Sequence, residues 1–109
     1  LEAKRHITQN AIDVAHAIGI GQPHIAVLSA VETVNPAIPS SEHAAALRDM
    51  AKDGRITGGI IDGPLAFDNM YSAEAARIKG ISSPVSGRTD ILVMPGLEAG
   101  NILYKSLVY

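Results

Sequence analysis

Two hydrophobic periods share this chain. At Ile7, Ala11, Val14, Ala15 and Ile18 the apolar positions follow helical spacing, so residues 2–18 are expected to form an amphipathic helix. Gly19 suits its C-terminal stop. Residues 24–30, HIAVLSA, are a short apolar run of the kind that forms a buried strand. VETVNPAIP follows, and its two prolines mark a loop. Ser40 or Ser41 can cap a second helix, whose apolar face is Ala44, Leu47 and Ala51 and which ends at Gly54. Residues 57–62, TGGIID, read as a second strand whose glycines suggest close backbone packing. Gly63-Pro64 is expected to break it. Ser72 can cap a third helix reaching about Lys79, with Gly80 after it. Residues 90–95, DILVMP, are the third strand, and a last helix begins near Glu98.

Helices that alternate with short continuous apolar strands signal βαβ units. The expected fold is therefore α/β, with a parallel sheet and helices on both faces. No internal repeat, low-complexity segment or dividing linker interrupts it.

Composition narrows the picture. The chain has 109 residues, which suits one domain or one lobe of a larger enzyme. It is 47% hydrophobic, with Phe67, Tyr71, Tyr104 and Tyr109 its only aromatics, so the core must be mostly aliphatic. Net charge is −2 with acids and bases interspersed. No basic block predicts nucleic-acid binding, and no apolar run approaches the ~18 residues of a membrane span. The absence of cysteine excludes disulfides and thiolate metal sites. The N-terminus lacks a signal-peptide core and does not begin with Met, and the last apolar-periodic segment has no cap. These features raise the expectation of a fragment of a longer protein.

Familiar signatures are missing: no phosphate-binding P-loop, no dinucleotide glycine fingerprint, no nucleophile elbow. His6, His16, His24 and His43 lack metal-ligand spacing and read as surface or cap residues, so no metal site is expected. Three stretches carry candidate chemistry. Asp62 closes an expected strand, where open α/β sheets place ligand groups; equally, Asp62 and Gly63-Pro64 can simply build a turn, with Asp68 or Asn69 starting the next helix. SSPVSGRTD offers Ser83, Arg88 and Asp90 within eight residues, as a site or as an ordinary loop and strand start. GLEAGN, with Gly100 and Asn101, is either a plain strand-to-helix turn or a set of backbone N–H groups aimed at an anion.

DGPLAFDN, VNPAIPSSEHAAAL and above all S-P-V-x-G-x-x-D followed by P-x-x-E-A-G-N-x-x-Y-K together resemble the phosphate acetyl/butyryltransferase family, nearest its butyryltransferase-like branch. The resemblance runs over nearly the whole chain. It implies one lobe of a two-domain fold like that of isocitrate and isopropylmalate dehydrogenases, with the active site in the cleft between domains. The implied reaction is acyl-CoA plus phosphate giving acyl phosphate plus CoA. Coenzyme A would be a substrate, with no tightly bound cofactor, and the enzyme a cytoplasmic homodimer. By resemblance Asp90 accepts the CoA thiol proton in the CoA-acylating direction, and Ser83 donates a hydrogen bond to the reacting carbonyl. Arg88, Asp62, Gly100 and Asn101 would contact substrate. Two departures weaken the match. Pro84 follows Ser83 where the acetyltransferase branch has arginine, and Gly96 stands where many relatives carry Asp or Asn. The competing reading is a non-catalytic truncated lobe that binds or assembles; a relative of the decarboxylating dehydrogenases would need metal-binding aspartates that are not seen. As a separate piece the chain is expected to be catalytically silent and to self-associate through surface near Leu103 and Leu107.

Overall fold

The computed structural model describes residues 1–108, with the side chains of Leu97, Tyr104 and residues 106–108 outside the description; Leu107 and Tyr109, named above, therefore receive no structural account. Three parallel strands form the sheet: β1 (His24–Leu28), β2 (Ile60–Leu65) and β3 (Ile91–Val93), in the order β2-β1-β3. Around them lie α1 (Glu2–Ala17), α2 (Pro39–Lys52), α3 (Phe67–Tyr71), α4 (Ala73–Ile78) and α5 (Leu97–Val108). The expected α/β order and parallel sheet are present.

Side chains of β1 alternate between two cores, as a period of two requires. Ile25 and Val27 join Ile61 and Val93 under Ile12 of α1 and Ala44, Leu47 and Met50 of α2. Ala26 and Leu28 face the opposite way, against Leu65, Met70 of α3 and Val85 from the loop before β3. One face is thus covered by two long helices, and the other by a short helix and a loop.

Three local expectations are corrected. The buried stripe of α1 is Thr8, Ile12 and Ala15, while Ile7, Val14 and Ile18 are exposed. Thr8 tolerates burial because its hydroxyl donates to the Lys4 carbonyl at 2.7 Å. The second helix starts at Pro39, not at a serine cap. Proline suits the first helical position, where its missing N–H costs nothing and its φ is already helical. Ser41 instead lies in the first turn, where its Oγ accepts from the Asn35 N–H at 2.9 Å and closes the preceding loop. Gly63-Pro64, joined by a cis peptide, does not break β2. The register steps from Ala26↔Asp62 to Leu28↔Leu65, so β2 carries one extra residue there. Such a bulge is where a strand accommodates proline. Close to the alternative in which Asp68 or Asn69 starts the next helix, α3 begins at Phe67. Ser72 does cap the next helix, accepting from the Ala75 N–H at 3.1 Å.

The close packing expected of the glycines before Ile60 is present: a Cβ on Gly59 would lie 2.6 Å from Ile25 Cδ1 and 3.1 Å from the Pro23 carbonyl oxygen, and Gly63 is equally tight. A Cβ on Gly63 would lie 2.7 Å from the Val27 carbonyl oxygen and 3.2 Å from Ala44 Cβ.

Candidate functional site

In a parallel sheet the strand ends that point the same way form one rim, and ligands of open α/β sheets bind outside the carboxyl ends. Here that rim is built by Ser29, Ala30 and Glu32 after β1, by α3 after β2, and by Met94, Pro95 and Gly96 after β3. Ser29 is fixed twice: its N–H donates to the Leu65 carbonyl at 2.9 Å, and its hydroxyl lies 2.9 Å from that of Ser40. An apolar cleft of about 410 Å³ opens at this rim, lined by Leu28, Ser29, Phe67, Met94, Pro95 and Ile102, among others. The Phe67 ring stacks on Tyr71 with centroids 5.9 Å apart.

Beside the cleft, Asn69 is fully buried. Its Nδ2 donates to Glu32 at 2.8 Å, whereas its Oδ1 finds no hydrogen-bond partner among the described residues. Lys79 donates to the same Glu32 oxygen at 3.1 Å and to Asp68 at 2.7 Å. The lysine hydrogen bond holds the Asp68 carboxyl below its ordinary range, and the two carboxylates, Asp68 foremost, raise Lys79. These contacts pin the loop after β1 to α3 and α4.

On the α1 side of the rim, Lys4 Nζ lies 3.3 Å from His43 Nδ1 and donates to the Pro95 carbonyl at 3.3 Å. Burial is the leading cause lowering both Lys4 and His43, and the Lys4 charge lowers His43 further. Lys4 opens onto a second cavity of about 440 Å³ that also contains Gly96, Gly100 and Asn101.

The residues singled out from sequence fall in different places. Ser83 and Arg88 line one polar cleft of about 300 Å³, together with Ser82, Ser86 and α4 residues. Ser83 Oγ accepts from the Val85 N–H at 3.3 Å, a local turn contact. Asp90 is not among the residues lining that cleft. It precedes β3, at the amino ends of the strands, where its Oδ2 accepts from the His24 N–H at 2.9 Å and lies 3.5 Å from His24 Nδ1. Asp90 thus ties β3 to β1. Asp62 does not end a strand. It sits inside β2 opposite Ala26, because the strand continues through the bulge to Leu65. The Gly100 N–H already donates to the Gly96 carbonyl at 3.1 Å, so that glycine does not offer a free donor to an anion. The structure joins Ser83 with Arg88 and Gly100 with Asn101, and Asp90 lies apart from the Ser83–Arg88 cleft.

Sequence reasoning passed over Lys4 and Glu32, and read His43 only as a surface or cap residue and Asn69 only as a helix start. Their partners lie 37 to 39 residues away, and only the topology brings them to one rim. Among the described residues no group of His, Asp and Glu is arranged to hold a metal ion, and no helix is long and apolar enough to cross a membrane.

Comparison with known proteins fits this architecture. The family described as "Phosphate acetyl/butaryl transferase" matches residues 1–109. The chain belongs to that family. Among curated relatives it is similar to the phosphate acetyltransferase of Rhizobium meliloti, 63% identical over the whole chain and 34% of the relative. The probable phosphate butyryltransferase of Bacillus subtilis (strain 168) is 57% identical over the whole chain and 36% of the relative. The crystal structure of a branched-chain phosphotransacylase from Enterococcus faecalis V583 superposes with a TM-score of 0.88 at 41% identity, covering 96% of this chain and 37% of that one. The chain thus spans about a third of the length of these family members.

Proposed function

We propose that this chain is one lobe of an acyltransferase that exchanges an acyl group between coenzyme A and inorganic phosphate, acyl-CoA plus phosphate giving acyl phosphate plus CoA. The family match over the whole chain, with relatives named both acetyl- and butyryltransferases, carries this reading. In it the lobe belongs to a two-domain fold of the isocitrate/isopropylmalate dehydrogenase type, working as a cytoplasmic homodimer with CoA as a substrate. The carboxyl rim is the substrate face. The apolar cleft beside Phe67 and Met94 is of ligand-binding size and suits an acyl chain.

A second reading, carried by the motif S-P-V-x-G-x-x-D, makes Asp90 the proton acceptor and Ser83 the donor to the carbonyl. For Asp90 the contact with His24 favours the structural tie. One experiment on the full-length protein separates the two readings. In Asp90→Asn the amide oxygen still accepts from His24, so a tie leaves kcat within about fivefold, whereas loss of a general base costs about 10²–10⁴-fold. Ser83→Ala should cost about 10²–10³-fold if Ser83 faces the oxyanion. Phe67→Ala should lower kcat/KM for butyryl-CoA more than for acetyl-CoA, by up to about 0.8 kcal/mol for each methylene that loses its wall. Failure of the full-length protein to form acyl phosphate from either thioester would overturn the enzymatic reading and leave a binding or assembly lobe.

A further inference from the structure

Lys4 stands apart from the other lysines of the chain. Its ammonium bridges three elements: it belongs to α1, lies 3.3 Å from the ring of His43 in α2, and donates to the Pro95 carbonyl after β3. No carboxylate pairs with it among the described residues, whereas Lys79 is gripped by Asp68 and Glu32. Lys52 and Lys105 are exposed. Burial shifts Lys4 toward its neutral form, and His43 Nδ1, which accepts from Nζ at 3.3 Å, is placed to take its proton. Once a neighbouring base takes a proton from the ammonium, the lone pair is free for attack, which is one way a lysine becomes a nucleophile. The cavity that Lys4 lines, with Ile7, Gly96 and Asn101, gives an acylating agent room to approach.

We propose that Lys4 is an acylation site, modified by an acyl phosphate that reaches the carboxyl rim. His43 Nδ1 takes one proton from the Nζ ammonium. The free amine attacks the carbonyl carbon, and a C–N bond forms. The C–O bond to the phosphate breaks, its electron pair leaves with the phosphate, and the phosphate takes the second proton from nitrogen. The products are an uncharged amide on Lys4 and inorganic phosphate, with no oxidation or reduction. The modification removes the charge that joins α1 to α2 and to the turn after β3. As a source of the acylating agent this rests on the acyltransferase reading above; the site itself does not.

The test incubates the full-length protein either with acetyl phosphate or with acetyl-CoA plus phosphate, and times acetylation at each lysine by peptide mass spectrometry. Lys4 should be labelled at least about tenfold faster than Lys52, Lys79 or Lys105, since a positioned general base such as His43 typically contributes about 10²–10⁴-fold. His43→Gln should slow Lys4 alone, and Lys4→Arg should abolish that signal. His43→Asn repeats the comparison, with far-UV circular dichroism used to choose the variant that stays folded. Labelling by acetyl phosphate but not by acetyl-CoA plus phosphate supports the Lys4 site and counts against acyl phosphate formation by this protein. Labelling of Lys4 no faster than Lys52, or a Lys4 rate unmoved in the folded His43 variant, overturns the proposal.

Discussion

The two faces of the sheet are built from the same strands but closed to different degrees. On the face of Ile25 and Val27, two long helices supply Ile12, Ala44, Leu47 and Met50, and Ile12, Ile25, Ala44 and Leu47 are wholly buried. On the face of Ala26 and Leu28 the cover is α3 and a loop, and an apolar cleft of about 410 Å³ is left beside Met94 and Ile102. The difference lies in how completely each face is covered. One face is packed shut, and the other leaves the apolar cleft at the carboxyl rim to which the proposed function assigns the acyl chain.

The largest expected effect is on the closed face. Leu47→Ala removes a wholly buried side chain packed between α2 and the sheet and should destabilise by about 2–5 kcal/mol. Met94→Ala on the open face, where the side chain is half-buried, should cost about 1 kcal/mol or less, the worth of roughly one buried methylene. Urea unfolding of both variants checks the contrast, and equal losses would break it.

Gly63 lies where β2 bulges between β1 and α2, so Gly63→Ala should cost about 1–3 kcal/mol by overpacking. Gly21→Ala is the control, since a Cβ there meets nothing within 4 Å. A Gly63→Ala protein as stable as that control would mean that the closed face gives more readily than its contacts indicate.

The smallest effect concerns the ionic clasp on the open side. Asp68 is lowered from 3.8, so its contribution is present above that value and fades as pH falls through its lower folded pKa. Lys79 is raised from 10.5, so its contribution is full below that value and fades as pH rises through its higher folded pKa. The stability difference between the wild type and Lys79→Met should therefore be flat between these limits and shrink outside them. It should also shrink with added salt, because exposed pairs are screened. A difference that varies with pH inside that window would assign the clasp to other groups.

Much of the fold was legible because its signals are local. The helical spacing placed α1, α2 and α4, and the apolar runs placed all three strands. What failed depended on neighbours. Ile7 and Val14 obey helical spacing as well as Ile12 does, and only the sheet selects which stripe turns inward. Pro64 looks like a strand end until the bulge opposite β1 is seen. The family was legible in S-P-V-x-G-x-x-D and P-x-x-E-A-G-N, yet the spacing of that motif did not show where its residues go: Asp90 ends at the amino edge, bonded to His24, and Ser83 beside α4. The rim residues Lys4, His43, Glu32 and Asn69 carry no motif, because their proximity is made by chain crossings.

The extra residue at Gly63-Pro64 also sets the phase of β2. Ile61 and Leu65 are four residues apart and would share a face of a regular strand, yet Ile61 packs in one core and Leu65 in the other. Deleting a single residue from the bulge would therefore do more than shorten the strand. It would send Leu65 to the wrong side and drag the start of α3 with it. Along this segment, length carries more of the structural information than the identity of any one side chain, so insertions and deletions should be far less tolerated here than substitutions that keep the count.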